Sequence, residues 1–290
     1  MKIVIILICL ALARYAHTEN ALRQWHWFDK YLQLLRRPLY EANAKSPWLG
    51  FALVMLPVLI VLSLIMKIFG GQLHHIGHFI ISIIVLWYCL SVISVKEDLA
   101  SYHNALLEEG KQDAGGAVAS LLGNDPPIDR TQIPRAVTHA IFWQPLQRLF
   151  GVIFWFIALG PVGALFYHMV IVLREEAISG NSDALSLSHE AKMAQAILDW
   201  LPARMVGLGY ALAGHFAPTF AYWSKNLFVG LDQTQDYLSH CGMLALNAKE
   251  TDPALADPAE HRAALALVGR TLIILLALVL IFSLGMLVYR

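Results

Sequence analysis

Several long apolar blocks constrain this chain more than any other feature of its sequence. A membrane-crossing helix needs about 20 mainly apolar residues to bridge a hydrocarbon core about 30 Å thick. Three blocks meet that length, and they predict spans at residues 48–69, 76–95 and 264–289. Hydrophobic residues make up 58% of the chain and charged residues only 14%, which leaves too little polar surface for a soluble globule. We therefore predict an integral membrane protein.

A fourth apolar block, residues 149–173, is long enough to cross but holds Gly160 and Pro161 near its middle. Because proline disrupts a helix interior, this block is expected either to cross with a kink or to turn back. Two shorter blocks, residues 3–13 and 201–216, leave the number of spans open.

The two short blocks are expected to behave differently. Residues 1–16 fit a secretory signal peptide, with an apolar run after Lys2, but we expect the segment to be retained. Residues 201–216 are expected to pack against protein, because Gly207, Gly209 and Gly214 let another helix approach closely.

The distribution of lysine and arginine predicts the orientation of the first spans. Residues 14–47 and 96–148 are rich in these residues and are expected to be cytoplasmic, whereas the loop at residues 70–75 has none. The counts leave the side of residues 174–262 open.

The segments outside the spans have helical periodicity. Residues 97–109 place leucines along one face and end at Gly110, and residues 114–122 and 188–199 predict further helices. Asp199 is expected to cap a new helix with Pro202 in its first turn. Without period-two alternation, the chain reads as one all-α domain over residues 1–290, a polytopic membrane bundle with amphipathic cytoplasmic helices.

Titratable groups within apolar segments are candidates for function, because they are costly at membrane depth. His168 either faces the bundle interior as a neutral side chain or takes part in a site. Arg204 either holds a turn as a buried ion pair or cap near Asp199, or presents its guanidinium to an anionic ligand.

Other motifs give little support to common chemistries. His74 and His78 share a helix face at i and i+4, but without the glutamate of HExxH they are weak metal ligands, and no metal site is expected. The chain has no Walker-type loop, GxSxG or CxxC motif, and Cys9, Cys89 and Cys241 form no disulfide framework. Equal numbers of basic and acidic residues, 21 each, argue against nucleic acid binding.

Three segments carry a further signal: SYHNALLEEG, AIFWQPLQRLFGVIFWFIALGPVGALFYHMV and AILDWLPARMVGLGYALAGHF. Together they resemble the AmpE family, inner membrane proteins encoded beside a cell wall amidase in many Gram-negative bacteria. That family is similar to the membrane-embedded adenosylcobinamide-phosphate synthases, whose PAR segment is matched by residues 202–204 and whose GRD-like turn is matched by residues 123–125.

The sequence departs from the synthases in the helix before residue 149. There the enzymes carry a glutamate, an asparagine and an aspartate, and this chain has His139, Gln144 and Gln147. A carboxylate is the group that would bind a metal or activate an amine, so the resemblance implies a frame that has lost its acids.

The resemblance implies a bacterial inner membrane sensor or modulator of β-lactamase induction, linked to peptidoglycan recycling. It implies no cofactor, and besides the lipid bilayer it implies an anionic cell wall fragment or a nucleotide as partner. The expected ligand contacts are Arg204, Asp199, Arg135, Asp125, His139 and His168.

Two other functions stay open. A membrane-bound ATP-dependent amide ligase would need carboxylates that are not at the family's positions, so an enzyme is the less favoured interpretation. A small-molecule transporter would suit a helix broken at Gly160 and Pro161, but no second half carries a matching break.

Overall fold

The computed structural model describes residues 2–15, 26–68, 74–90, 133–178, 186–247 and 258–288, and all regular secondary structure in these ranges is helical. The all-α prediction is confirmed. Within the described ranges, three helical stretches are long and apolar enough to cross a membrane: Pro47–Ile68, Ala136–Leu159 and Ala259–Ser283. Two shorter apolar helices cover Lys2–Ala13 and Gly77–Cys89. The protein is an α-helical membrane bundle.

The described ranges contain eleven α-helices. In chain order they are α1 (Lys2–Tyr15), α2 (His26–Lys45), α3 (Pro47–Ile68), α4 (His74–Cys89), α5 (Ile133–Pro145), α6 (Gly151–Leu159), α7 (Pro161–Ile178), α8 (Ser188–Ala213), α9 (Phe216–Lys225), α10 (Thr234–Leu246) and α11 (Pro258–Val288). A π-helical turn, Leu146–Phe150, joins α5 to α6, and a 3-10 turn, Leu231–Gln233, precedes α10. The predicted helices at residues 97–109 and 114–122 lie outside the described residues.

The chain divides into two compact units. The first contains Met1–Ser91 and Gly151–Leu198, and the second contains Val92–Phe150 and Asp199–Arg290. In the first unit, α2 is amphipathic and buries Phe28, Leu32 and Leu39 along one face. The Tyr31 hydroxyl donates a 2.9 Å hydrogen bond to the Val54 carbonyl, which fixes α2 against α3.

The apolar block at residues 149–173 is not one continuous helix. Helix α6 ends at Leu159, Gly160 has a φ of 75°, and Pro161 begins α7. This left-handed backbone conformation suits glycine, which has no Cβ. Gly151 packs directly against the Tyr167 ring, so the chain turns back at Gly160 and α7 runs alongside α6.

Helix α8 continues through Pro202, so the prediction of a helix end and a new cap at Asp199 is wrong. A proline inside a helix leaves the carbonyl four residues earlier without its N–H donor, and here that carbonyl belongs to Leu198. The Trp155 indole nitrogen donates to the Leu198 carbonyl at 3.2 Å. A side chain from α6 thus replaces the missing backbone donor.

The second unit has its own core, centred on Phe142 of α5. The Phe142 ring packs directly against Gly242 and edge-to-face with Tyr210 at 5.6 Å. The Tyr210 hydroxyl donates to the Phe142 carbonyl at 2.9 Å. Buried side chains of α8, α10 and α11 complete this core: Ala203, Val206, Leu238, Met243, Ala264, Leu267 and Val268.

The predicted close approach at the glycines of α8 is confirmed. A Cβ at Gly207 would lie 3.2 Å from the Tyr237 hydroxyl, and one at Gly209 would lie 2.7 Å from the Thr271 methyl group. Gly214 is packed against the Ala245 backbone. These glycines bring α10 and α11 close to α8.

Replacing Trp155 by phenylalanine should destabilise the protein, because the Leu198 carbonyl loses its donor. An unsatisfied buried carbonyl costs about 1–3 kcal/mol, so the thermal unfolding midpoint of the detergent-solubilised protein should fall. The matched control combines Trp155→Phe with Pro202→Ala, which restores a backbone N–H four residues after Leu198. If Trp155→Phe costs as much in the Pro202→Ala background as alone, the indole is not replacing that donor.

Candidate functional site

Arg204 is a buried basic residue of the second unit, with 4% of its surface exposed. Its Nε donates to the Leu227 carbonyl at 3.1 Å, and one terminal nitrogen donates to the Val229 carbonyl at 2.8 Å. The other terminal nitrogen donates to the Trp200 carbonyl and the Thr234 hydroxyl, both at 3.3 Å. Four of the five N–H groups of this guanidinium are therefore committed to the chain itself.

Two aromatic rings lie against the guanidinium. Its central carbon lies 4.8 Å from the Trp200 ring centroid and 4.6 Å from that of Tyr237. Cation–π contacts of this kind are stronger when desolvated. The Trp223 indole donates to the Arg204 carbonyl at 2.8 Å, and the Trp200 indole donates to the Val229 carbonyl at 3.2 Å.

These contacts form the Arg204 cluster, whose members are Trp200, Arg204, Trp223, Leu227, Val229, Thr234 and Tyr237. The cluster holds the irregular turn at residues 226–230, between α9 and the 3-10 turn. Carbonyls in such a turn have no helical partner, and side chains of α8 supply the donors. Among the described residues, no hydrogen-bond partner of Arg204 is a carboxylate.

Two neighbouring groups on α10 are kept neutral by burial. Burial raises the pKa of the Cys241 thiol to about 12 and raises the pKa of the Tyr237 hydroxyl above its ordinary value. Both groups hold their protons at neutral pH. Arg204 is thus the charged member of this part of the core, and burial disfavours the thiolate, which is the reactive form of Cys241.

The other predicted site residues are distributed over both units. Asp199 is buried on α8 in the second unit, and His168 is buried on α7 in the first. His139 lies half-buried on α5, where its carbonyl accepts a hydrogen bond from Ser239 at 3.3 Å. Arg135 belongs to α5, but its side chain is not among the described ones, and Asp125 lies outside the described residues.

The weak metal candidates lie on α4. His74 begins this helix, and His78 is exposed, with its Nδ1 3.4 Å from the Ser82 hydroxyl. Over the described residues, no group of three or more His, Cys, Asp or Glu side chains is arranged to hold a metal ion.

Sequence reasoning missed two sets of polar contacts. In the first unit, Glu190 and Gln195 are buried on α8, and the Arg174 guanidinium donates to the Gln195 amide oxygen at 2.9 Å. In the second unit, the i, i+4 spacing of Trp200 and Arg204 was a signal for a cation–π pair. The partners in the turn at residues 226–230 left no such signal, because they are backbone carbonyls.

Replacing Arg204 by lysine should destabilise the second unit although the charge is kept. Lysine is a point charge and cannot bridge the Leu227 and Val229 carbonyls while donating to Thr234. The loss of one charged hydrogen bond costs about 1.5–3 kcal/mol, which thermal unfolding would report. The control is Arg270→Lys at an exposed position of α11, which should leave the midpoint unchanged. Equal midpoints for the two variants would contradict the bracing role of the guanidinium.

Comparison with known proteins gives matches over much of the chain. A cobalamin biosynthesis protein CobD of Chromobacterium violaceum is 27% identical over 147 residues, which are 50% of this chain and 46% of that protein. The corresponding protein of Stutzerimonas stutzeri is 26% identical over 144 residues, 49% and 47% of the two chains. Protein AmpE of Shigella flexneri is 21% identical over 176 residues, 58% of this chain and 61% of that protein.

The match to the two CobD proteins spans about half of their length. No solved structure matches the chain. The family model described as CobD/Cbib protein matches residues 6–235, which include Arg204 and the turn that it holds. Since this match covers well over half of the 290 residues, the chain belongs to the CobD/Cbib protein family.

Proposed function

We propose that the protein is a multi-pass protein of the bacterial inner membrane that senses or modulates the signal for β-lactamase induction, in connection with peptidoglycan recycling. Two observations favour this role within the family. The segments at residues 101–110, 140–170 and 196–216 resemble the AmpE family. The AmpE protein of Shigella flexneri also matches 58% of this chain, a larger share than either CobD protein.

The observation that carries the proposal is the nature of three side chains before residue 149. Where the resemblance to the synthases places a glutamate, an asparagine and an aspartate, this chain has His139, Gln144 and Gln147. The segment around them is well packed, because Phe142 contacts Gly242 and accepts the hydrogen bond of Tyr210. A binding or signalling protein related to an enzyme would keep the packing of this segment without the acidic side chains of the enzyme.

The Arg204 cluster supplies a mechanism for this proposal. Guanidinium binds phosphate or carboxylate through two parallel N–H groups. An anionic cell wall fragment or nucleotide bound there would replace the Leu227 and Val229 carbonyls and release the turn at residues 226–230. Asp199, Arg135, Asp125 and His139 belong to the same unit and stay as proposed further contacts, and His168 stays a separate proposed ligand contact in the first unit.

The second candidate function is a membrane-bound, ATP-dependent amide ligase. It is favoured by the higher identity to the two CobD proteins, 27% and 26% against 21% for AmpE. In that case the protein would join an amine to a carboxylate and would need acidic residues at positions other than 139, 144 and 147.

Deleting only this gene from the native host should change the ratio of induced to uninduced β-lactamase activity. The measurement compares the parent and the deletion strain, each with and without an inducing β-lactam. Reintroducing the wild-type gene should restore the ratio. Reintroducing Arg204→Ala at a normal protein level should not, because the variant cannot bind an anion at this position.

An unchanged ratio in the deletion strain would remove the regulatory role. The purified full-length protein would then be assayed for ATP-dependent amide formation between an amine and a carboxylate, and product formation would establish the ligase in its place.

A further inference from the structure

The two halves of α11 have different surroundings. Buried residues recur at intervals of three or four along its first half, at His261, Ala264, Leu267 and Thr271. Beyond Thr271 no described side chain of this helix is buried. The second unit therefore buries the first half of α11 and packs only partly against the second half, at Leu272 and Leu275.

The second half of α11, residues 271–288, has the composition and length of a lipid-facing segment. Residues 271–288 are 18 residues without a charge, about 27 Å of helix and close to the thickness of a hydrocarbon core. Ile273 is 69% exposed and Phe282 is 74% exposed. The charge immediately before this stretch, Arg270, is also exposed. If this uncharged stretch crosses the hydrocarbon layer, the layer begins near Thr271.

Contacts between α8 and α11 show which residues of α8 lie at the same depth as Thr271. Gly209 of α8 meets Thr271 and Leu275, in the first turns of the uncharged stretch. Earlier residues of α8, Ala203 and Val206, share a core with earlier residues of α11. Phe142 of α5 contacts Tyr210, beside Gly209, and Thr138, one turn before Phe142, contacts His261, ten residues before Thr271. Because α5 and α8 both run parallel to α10, α8 and α11 run in the same direction. The last residue of α8 lies about 6 Å beyond Gly209, on the membrane side of the boundary.

Helix α9 starts at this level and runs back toward Arg204. The chain turns at Gly214 and His215, and the His215 N–H donates to the Ala245 carbonyl at 2.9 Å. Eight residues later, the Trp223 indole donates to the Arg204 carbonyl. The first turn of α9 consequently lies at the bilayer surface, and its last turn lies on the aqueous side.

The first turns of α9 expose an uncharged aromatic face. Phe216 is 50% exposed and Phe220 is 38% exposed. Their rings stack at 5.1 Å, and the Phe220 ring stacks on Trp223 at 5.5 Å, so the face is held in one orientation. Residues 216–221 carry no charge. The exposed charges of this region follow at the other end, at Lys225, Asp232 and Asp236.

We propose that this aromatic face, Phe216 and Phe220 on α9, lies in the interfacial layer of the bilayer and contacts phospholipid. Aromatic side chains are enriched at this depth in membrane proteins. The face continues at the same level as the bare surface of α11, and lipid is the partner that suits both surfaces. The second unit is thereby held to the membrane by α9 as well as by α11.

Site-specific photocrosslinking in bacterial membranes tests the proposal with the full-length protein. The photoreactive analogue p-benzoylphenylalanine is placed singly at Phe216, at Phe220 and, as a matched control, at Phe228. Phe228 is 84% exposed but follows Lys225, on the side of Arg204. After irradiation, mass spectrometry of the purified protein identifies what each position has captured. Phospholipid adducts are expected at positions 216 and 220 and should be absent at position 228.

Three results would overturn the proposal. Protein adducts in place of lipid adducts at 216 and 220 would show that a second copy or another protein covers the face. Equal lipid capture at all three positions would show that the face has no defined depth in the bilayer. No lipid capture at 216 and 220 would show that the face does not contact lipid. Because all three substitutions replace an exposed phenylalanine with a larger aromatic analogue, a folding defect at one position alone would be visible as a reduced yield in the membrane.

Discussion

Satisfying backbone carbonyls where helices are interrupted is the constraint on which the rest of this structure depends. A carbonyl without a donor is costly in a protein interior and more so in a bilayer, where no water can replace the donor. At Pro202 the donor is the indole of Trp155. At the turn between α9 and α10 the donors are Arg204 and Trp200. The long helix α8 is involved in both solutions, once as the acceptor and once as the source of donors.

The sequence predicted the parts of the fold that depend on local composition. The apolar stretch of α3, the break at Gly160 and the small residues of α8 all follow from residue types and their spacing. The continuity of α8 through Pro202 did not follow, because the compensating donor lies 43 residues away. The hydrogen-bond partners of Arg204 could not be predicted from the sequence either. They are carbonyls of Leu227 and Val229, and any residue at those positions has the same carbonyl.

The family match and the side chains before residue 149 describe two different parts of the protein, its helical frame and its chemical groups. The family match includes α8 and the turn that it holds, so this frame is the shared part. The positions at which the resemblance expects a glutamate, an asparagine and an aspartate hold a histidine and two glutamines, so the resemblance implies that the chemical part is altered. The hydrogen bonds of Tyr210 and Ser239 to the backbone of α5 do not depend on those three side chains. A frame fixed through backbone contacts can keep its shape while its reactive groups change.

The choice of arginine at position 204 has a consequence for acid and base. Arginine keeps its proton throughout the range in which proteins are folded, so its hydrogen bonds to Leu227 and Val229 need no particular pH. A histidine in that place would gain and lose charge near neutrality. The turn at residues 226–230 is therefore held equally at acidic and at neutral pH. Because a change of pH does not break these hydrogen bonds, a ligand that moves the turn has to compete with the two carbonyls for the guanidinium of Arg204.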